Sequence, residues 1–203
     1  MKIICVGWNY PDHNKEMDRK DLPSNPTLFM KPDTSLLKDG KPFFIPDFSD
    51  RIEYETEIVI RIDRVGKNIS EKFASRYYDA VTVGIDFTAR DLQASLREKG
   101  QPWEISKAFD NSAVIGEFIH AEGLDMDNIH FSMNLNGENK QTGCTKDMIF
   151  RINKIISYAS QFFTLKKGDL IFTGTPSGVG PVKIDDHIEG YIDNTKLLDF
   201  RVK

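Results

Sequence analysis

Cysteine is scarce in this chain, and neither a basic run, a long apolar span nor an internal repeat is present. Its two cysteines, Cys5 and Cys144, have no paired spacing and are too few for a disulfide scaffold. Cys5 sits in Ile3-Ile4-Cys5-Val6 and reads as a small buried hydrophobe. No run of five Lys or Arg occurs and the net charge is −4, so no nucleic-acid partner is expected. No apolar stretch approaches the roughly 20 residues that cross a bilayer, which excludes a helical membrane span. The start, one lysine among four apolar residues, is far short of a signal-peptide core. These absences predict a cytoplasmic protein with no membrane partner. What remains is 203 residues, 39% hydrophobic and 29% charged, enough for one domain with a sizeable core.

Six of the nine prolines (Pro11, Pro23, Pro26, Pro32, Pro42 and Pro46) fall within residues 8–50, which forbids long helices there. Strands are expected at 2–6, at 52–62, at 81–87 and at 129–136, where apolar and polar residues alternate. Asn136-Gly137 predicts a hairpin turn. Further strands are expected at 168–173, 187–193 and 196–202. Helices are expected over 70–81, with Phe73, Ala74, Tyr77 and Val81 on one face, and over 147–163. A third should start at a Thr88 cap and stop at Gly100. Strands outnumber helices without a sustained βαβ rhythm, the pattern of a β-rich α+β domain.

Chemistry gathers in a few places. Glu53, Glu55 and Glu57 alternate with Ile52, Tyr54 and Thr56, so on one strand they would share a face about 6–7 Å apart. Like charges at that spacing call for a cation such as Mg²⁺, or else for a solvated face. His13 and Glu16, three apart, would meet on a helical turn as a carboxylate-oriented base. Asp86 ends an apolar strand and reads equally as a metal ligand or a turn residue. Arg90 and Gln93 follow at a helix start, suited to a substrate carboxylate. Lys107, in an aromatic stretch, either snorkels to solvent or stabilises a developing oxyanion. The loop Gly174-Thr175-Pro176-Ser177-Gly178-Val179-Gly180 can present N–H groups to an anion but lacks the ending of a phosphate-binding P-loop. His120, His130 and His187 have no spacing that suggests a site.

Taken in order, Gly7-Trp8-Asn9-Tyr10 with Asp12-His13 and Glu16, Phe29-Met30-Lys31-Pro32, Glu55-Thr56-Glu57, Gly84 to Asp91, Lys107-Ala108-Phe109 and the 174–180 loop resemble the fumarylacetoacetate hydrolase family. Within it, the small acylpyruvase and oxaloacetate decarboxylase members are the nearest in pattern. The resemblance implies a β-rich roll with a few peripheral helices and one catalytic domain over 1–203. In that domain 1–50 carries the dyad and 51–203 the metal-binding core. It also implies a homodimer and a bound Mg²⁺ or Mn²⁺. Glu55, Glu57 and Asp86 become the metal ligands, His13 and Glu16 the water-activating dyad, and Lys107 the enolate-stabilising cation. Lys31, Arg90, Gln93 and Thr175 become substrate contacts. The implied reaction is hydrolysis of a carbon–carbon bond in a β-diketo acid such as an acylpyruvate, through a metal-stabilised enolate. Oxaloacetate decarboxylation and isomerisation of unsaturated 2-oxo acids are the alternatives, with a non-catalytic keto-acid binder as the rival of another class. Many relatives carry Arg where this chain has Trp8, which implies one positive charge fewer at the site and a less charged or larger acyl tail.

Overall fold

The computed structural model describes residues 1–19 and 21–203. The chain begins with β1 (Ile3–Gly7), whose apolar run is buried on both faces, followed by the short helix α1 (Pro11–Glu16), with proline at its first position. The rest of the proline-rich segment supplies β2 (Thr27–Lys31), a 3₁₀ turn at Asp33–Ser35 and β3 (Leu36–Leu37). Next come β4 (Ile52–Tyr54), β5 (Thr56–Ile62), β6 (Tyr78–Asp86), β7 (Thr88–Ala89), α2 (Arg90–Glu98) and α3 (Glu104–Lys107). The second half holds β8 (Ala113–Ile115), β9 (Ile119–His120), β10 (His130–Leu135), β11 (Glu138–Cys144) and α4 (Ile152–Phe162). It closes with β12 (Leu170–Phe172), β13 (Gly180–Pro181), β14 (His187–Ile192) and β15 (Thr195–Arg201).

The strands form three sheets. An eight-stranded sheet runs β2-β1-β12-β5-β6-β8-β3, with β9 also on β6; a four-stranded sheet runs β11-β10-β14-β15; a three-stranded sheet runs β13-β4-β7. The core between them is mostly Ile, Val and Phe, including Ile58, Ile60, Ile62, Val83, Ile85, Phe131, Ile188 and Phe200, all at most 2% exposed. Asn136 and Gly137 both take positive φ and join β10 to β11, as the hairpin signal requires. β6 passes close to its neighbours at Gly84, where a Cβ would lie 2.7 Å from the Val114 carbonyl oxygen.

Four expectations are corrected here. The strand foreseen over 52–62 breaks at Glu55 into β4 and β5, which belong to different sheets. The amide of Thr56 turns away to the side chain of Gln141 at 2.9 Å, and the Glu55 carbonyl accepts the N–H of Asp86 at 2.8 Å. The helix foreseen over 70–81 is a 3₁₀ stretch, Glu71–Tyr77, with Phe73 exposed, because Tyr78 onward is drawn into β6 beside β5. Thr88 is a strand residue, not a cap; its hydroxyl donates to Glu55 Oε1 at 3.1 Å, and α2 begins without a side-chain cap. The last long helix is likewise shorter than foreseen, starting at Ile152 after a 3₁₀ turn at 145–147.

Candidate active site

β5 starts where the antiparallel β6 ends, with Thr56 opposite Ile85 and Glu57 opposite Gly84. That register brings Glu55, Glu57 and Asp86 together, with one carboxylate oxygen from each within 4.8 Å of the others. All three are buried. The lining of the cavity over them includes His13, Arg90, Gln93, Lys107 and Thr175, together with Trp8, Phe29 and Trp103. Its free volume is about 30 Å³, the share of a single water molecule, so the site is closed. A cavity of about 850 Å³ lies on the far side of Lys31, but it is apolar and has no such convergence of charge.

Positive groups fill part of the space between the carboxylates. Lys107 Nζ bridges Glu55 Oε2 at 2.7 Å and Asp86 Oδ2 at 3.0 Å, and Arg90 reaches Glu55 Oε1 at 2.6 Å. Arg90 is itself held by Glu53 Oε2 and by Gln93 Oε1, each at 2.6 Å. Glu53 therefore stands outside the ligand trio and works as an anchor, shared with Arg51 at 2.5 Å. Lys31 is fully buried behind Asp86, 2.7 Å from its Oδ1 and hydrogen-bonded to Ser112 Oγ and the Lys107 carbonyl. Lys31 does not line the catalytic cavity, so in this geometry it supports Asp86 rather than touching a ligand.

Four buried carboxylates (Glu53, Glu55, Glu57 and Asp86) thus face three buried cations (Lys31, Arg90 and Lys107). The shortfall falls on Glu57. Its hydrogen-bond donor is the Gly174 N–H at 2.6 Å, and burial, then the charges of Asp86 and Glu55, push its carboxyl well above the usual range. Burial would raise Glu55 too, but Lys107 and Arg90 outweigh it and hold that carboxyl low. For Lys107, burial works against the charge, yet Asp86 and Glu55 prevail and raise its ammonium. An all-oxygen trio short of positive charge, with a lysine ammonium bridging two of its members, fits a hard divalent cation.

The dyad closes this site from above. His13 Nδ1 lies 3.1 Å from Glu16 Oε2, while Glu16 Oε1 accepts the N–H of Gly178 at 2.9 Å. Helix α1 is thereby tied to the glycine-rich loop, with Glu16 behind the histidine rather than in the cavity. Burial would raise the Glu16 carboxyl, but the hydrogen bonds from His13 and Gly178 outweigh it and lower it. Gly174 takes φ +102°, and a Cβ there would meet Asn9 Cβ at 2.7 Å.

Two supports escaped the sequence reading. Asn9 donates to the carbonyls of Phe150 and Thr173 and accepts the Phe150 N–H, pinning the entry to α1. Gln141 accepts from Thr56 N–H and donates to Thr175 Oγ1 at 2.9 Å, joining the strand break to the loop. A buried polar residue shows its role only through partners far along the chain: Asn9 stood inside the Gly7-Trp8-Asn9-Tyr10 motif without a role, and no pattern marked Gln141.

The sequence model for the fumarylacetoacetate (FAA) hydrolase C-terminal domain matches residues 2–203. The chain belongs to this family. Among curated members, the mouse mitochondrial oxaloacetate tautomerase FAHD1 is 41% identical over 202 residues, 99% of this chain and 91% of that protein. The oxaloacetate tautomerase YcgM of Escherichia coli is 40% identical over 198 residues, 97% of this chain and 90% of that protein. Among solved structures, the fumarylpyruvate hydrolase of Pseudomonas aeruginosa in complex with Mn²⁺ and pyruvate superposes with a TM-score of 0.94. It is 36% identical, with 100% of this chain and 89% of that one covered. The β-rich fold is therefore that of the family, and the chain is one of its enzymes. No helix among the described residues is long and apolar enough to cross a membrane.

Proposed function

We propose that this enzyme is a divalent-metal-dependent keto–enol tautomerase of oxaloacetate-type 2-oxo acids, with Glu55, Glu57 and Asp86 holding Mg²⁺ or Mn²⁺. The observation that carries the reading is the buried carboxylate trio, in which Glu57 has no ion-pair partner among the described residues, beside an oriented histidine. Two relatives named oxaloacetate tautomerase and a third that is a Mn²⁺-containing hydrolase support it.

The bound cation would polarise the 2-oxo carbonyl and make the adjacent carbon more acidic. The remaining work falls to this chain's own side chains. Arg90, Gln93 and Thr175 line the cavity where the substrate carboxylate is to be fixed. Lys107 Nζ donates to the oxygen that gains charge as the enol forms. With Nδ1 turned toward Glu16, His13 uses Nε2 to take a proton from the carbon beside the carbonyl and deliver it to the carbonyl oxygen, and the reverse transfer turns enol back to keto acid. The closed cavity keeps bulk water from that proton. Entry requires the cavity to widen, since about 30 Å³ admits no substrate.

The same dyad favours a second reading, hydrolysis of an acylpyruvate, in which Nε2 takes the proton from an attacking water. Decay of the oxaloacetate enol in ultraviolet light, with Mn²⁺ or Mg²⁺ and then with EDTA, tests the first reading. Acetylpyruvate cleavage, followed by pyruvate release, tests the second in parallel. Metal-dependent acceleration of the enol decay, with a larger kcat/KM than acetylpyruvate cleavage, is expected. Faster cleavage of acetylpyruvate makes hydrolysis the principal activity, and no metal-dependent rate on either substrate removes both.

A further inference from the structure

Trp8 leaves position 8 without a charge, but two guanidiniums lie against its ring. Trp8 takes φ 66° and turns its ring over the site, stacked on His13 with centroids 6.0 Å apart. The Arg19 guanidinium carbon lies 4.7 Å from the Trp8 ring centroid, and that of Arg97 lies 5.0 Å away. Stacking on an indole fixes a guanidinium in place while leaving its N–H edge free to donate. Neither arginine is within ion-pair distance of a carboxylate among the described residues, unlike Arg51, Arg61, Arg90 and Arg151. The Nε–H of Arg19 goes to the Asp21 carbonyl at 3.1 Å.

These two charges stand at one end of a track. Arg90, Gln93, Ala94 and Arg97 fall at i, i+3, i+4 and i+7 on α2, one face of the helix. Seven residues of helix rise about 10 Å, so Arg97 lies that far along the axis from Arg90. A cavity of about 390 Å³ opens along this face, walled in part by Glu16, Arg51, Arg90, Gln93 and Arg97. Arg90 and Gln93 belong to its wall and to that of the closed cavity as well, and so form the partition between them. Of the outer cavity's arginines, Arg51 and Arg90 are engaged by Glu53, and its other acid, Glu16, is engaged by His13 and Gly178. Arg97 is the charge left over. Trp8 lines the closed cavity, so a ligand fixed there by its 2-oxo acid end would meet that guanidinium at the indole.

We infer that Arg97, with Arg19 on the same indole, binds the second carboxylate of a dicarboxylic 2-oxo acid, and that the enzyme thereby selects substrates charged at both ends. The inference rests on the 2-oxo acid reading of the site and deepens it by naming the residues that read the second carboxylate. Two arginines on a tryptophan thus supply, from α2 and the segment after α1, the charge that an arginine at position 8 would have carried.

A matched pair of unreactive ligands tests this: 2-oxoglutarate, with a distal carboxylate, and 2-oxopentanoate, of equal length without one. Each is titrated into the Mn²⁺-loaded protein by calorimetry and by tryptophan fluorescence, Trp8 being one of two tryptophans. The wild type is expected to bind the dicarboxylate about tenfold more tightly, a preference that shrinks as salt rises. Arg97→Gln should bring the ratio to within about twofold, and Arg97→Lys should restore part of it. In turnover, Arg97→Gln should lower the kcat/KM ratio of oxaloacetate to acetylpyruvate chiefly through KM for oxaloacetate. Equal wild-type affinities, or a ratio unmoved by the Arg19→Gln/Arg97→Gln double variant, would overturn the inference while leaving the 2-oxo acid reading intact. Failure of both ligands to bind with Mn²⁺ present would overturn that reading and this inference together.

Discussion

Among the described residues, two places bring three potential ligand atoms within 4.8 Å of one another, and only one of them has the physics of a metal site. Outside, on the β14–β15 pair, stand His187, Glu189 and Asp199. Lys196 reaches Glu189 Oε1 at 2.9 Å and Asp199 Oδ2 at 2.6 Å, while His187 Nε2 lies 2.7 Å from Asp199 Oδ1. These hydrogen bonds to Asp199 and Glu189 raise the Lys196 ammonium, and water screens whatever charge remains. A cation entering there would have to displace a lysine that already balances the cluster. Inside, Glu55, Glu57 and Asp86 have three cations around them and still leave Glu57 raised by burial and by like charge. Donor count is the same in both places. What separates them is unbalanced charge held away from water, where Coulomb energies are several times larger.

The largest contrast should be in turnover. Glu57→Gln and Asp86→Asn are each expected to lower kcat/KM by at least about a thousandfold, since each removes a metal ligand and the charge that polarises the substrate. His187→Ala should stay within about twofold of the wild type. Comparable losses from both clusters would erase the distinction. Stability should separate them next, and with a twist inside the trio. Asp86→Asn leaves Lys31 and Lys107 without their shared carboxylate and should destabilise the metal-free protein by about 3–5 kcal/mol. Asp199→Asn, in water, should cost under about 1 kcal/mol. Glu57→Gln should instead raise the metal-free Tm, because it removes repulsion and keeps an acceptor for the Gly174 N–H. Mn²⁺ at a hundred times its Kd should stabilise the wild type by about 2.7 kcal/mol, an increment absent from Glu57→Gln. A metal-free Glu57→Gln protein that melts below the wild type would show that Glu57 is structurally balanced after all.

The same contrast explains what could be read from the chain. The β-rich α+β class, the Asn136-Gly137 hairpin and the acidic run at 53–57 were legible because they follow local rules, namely period-two alternation, turn chemistry, and acidic residues where a strand should be apolar, whereas the roll and the choice of Glu55, Glu57 and Asp86 came from the family resemblance. The break at Glu55 was not legible, since it depends on Gln141, 86 positions away from that residue, taking the Thr56 N–H. For 70–81 the helical period was present, but pairing with β5 claimed Tyr78 onward, a tertiary preference that outweighs a weak local one. Lys31 and Lys107 look alike in sequence; only the fold puts one behind Asp86 and the other between two carboxylates. Trp8 could not be read alone for a related reason, because the guanidiniums set against its ring come from residues 19 and 97.

The smallest expected effect lies between the two clusters in exposure, at Glu16. Its side chain is 30% exposed, and its carboxylate couples α1 to the loop through Gly178 N–H and to His13. Because the folded protein lowers this carboxyl, its charged contacts contribute stability that is fully present above the unfolded value, about pH 4.3. That contribution is lost as pH falls through the lower folded value. The Tm advantage of the wild type over Glu16→Gln should therefore be constant near neutrality and shrink below about pH 4. Solvent screening keeps it under about 1 kcal/mol. Asp199 is also held low, by Lys196 and His187, so Asp199→Asn should lose its deficit over a similar acid range, and the two substitutions should add. A Glu16→Gln deficit that persists unchanged at pH 3 would mean that hydrogen-bond geometry, rather than charge, ties the dyad helix to the loop.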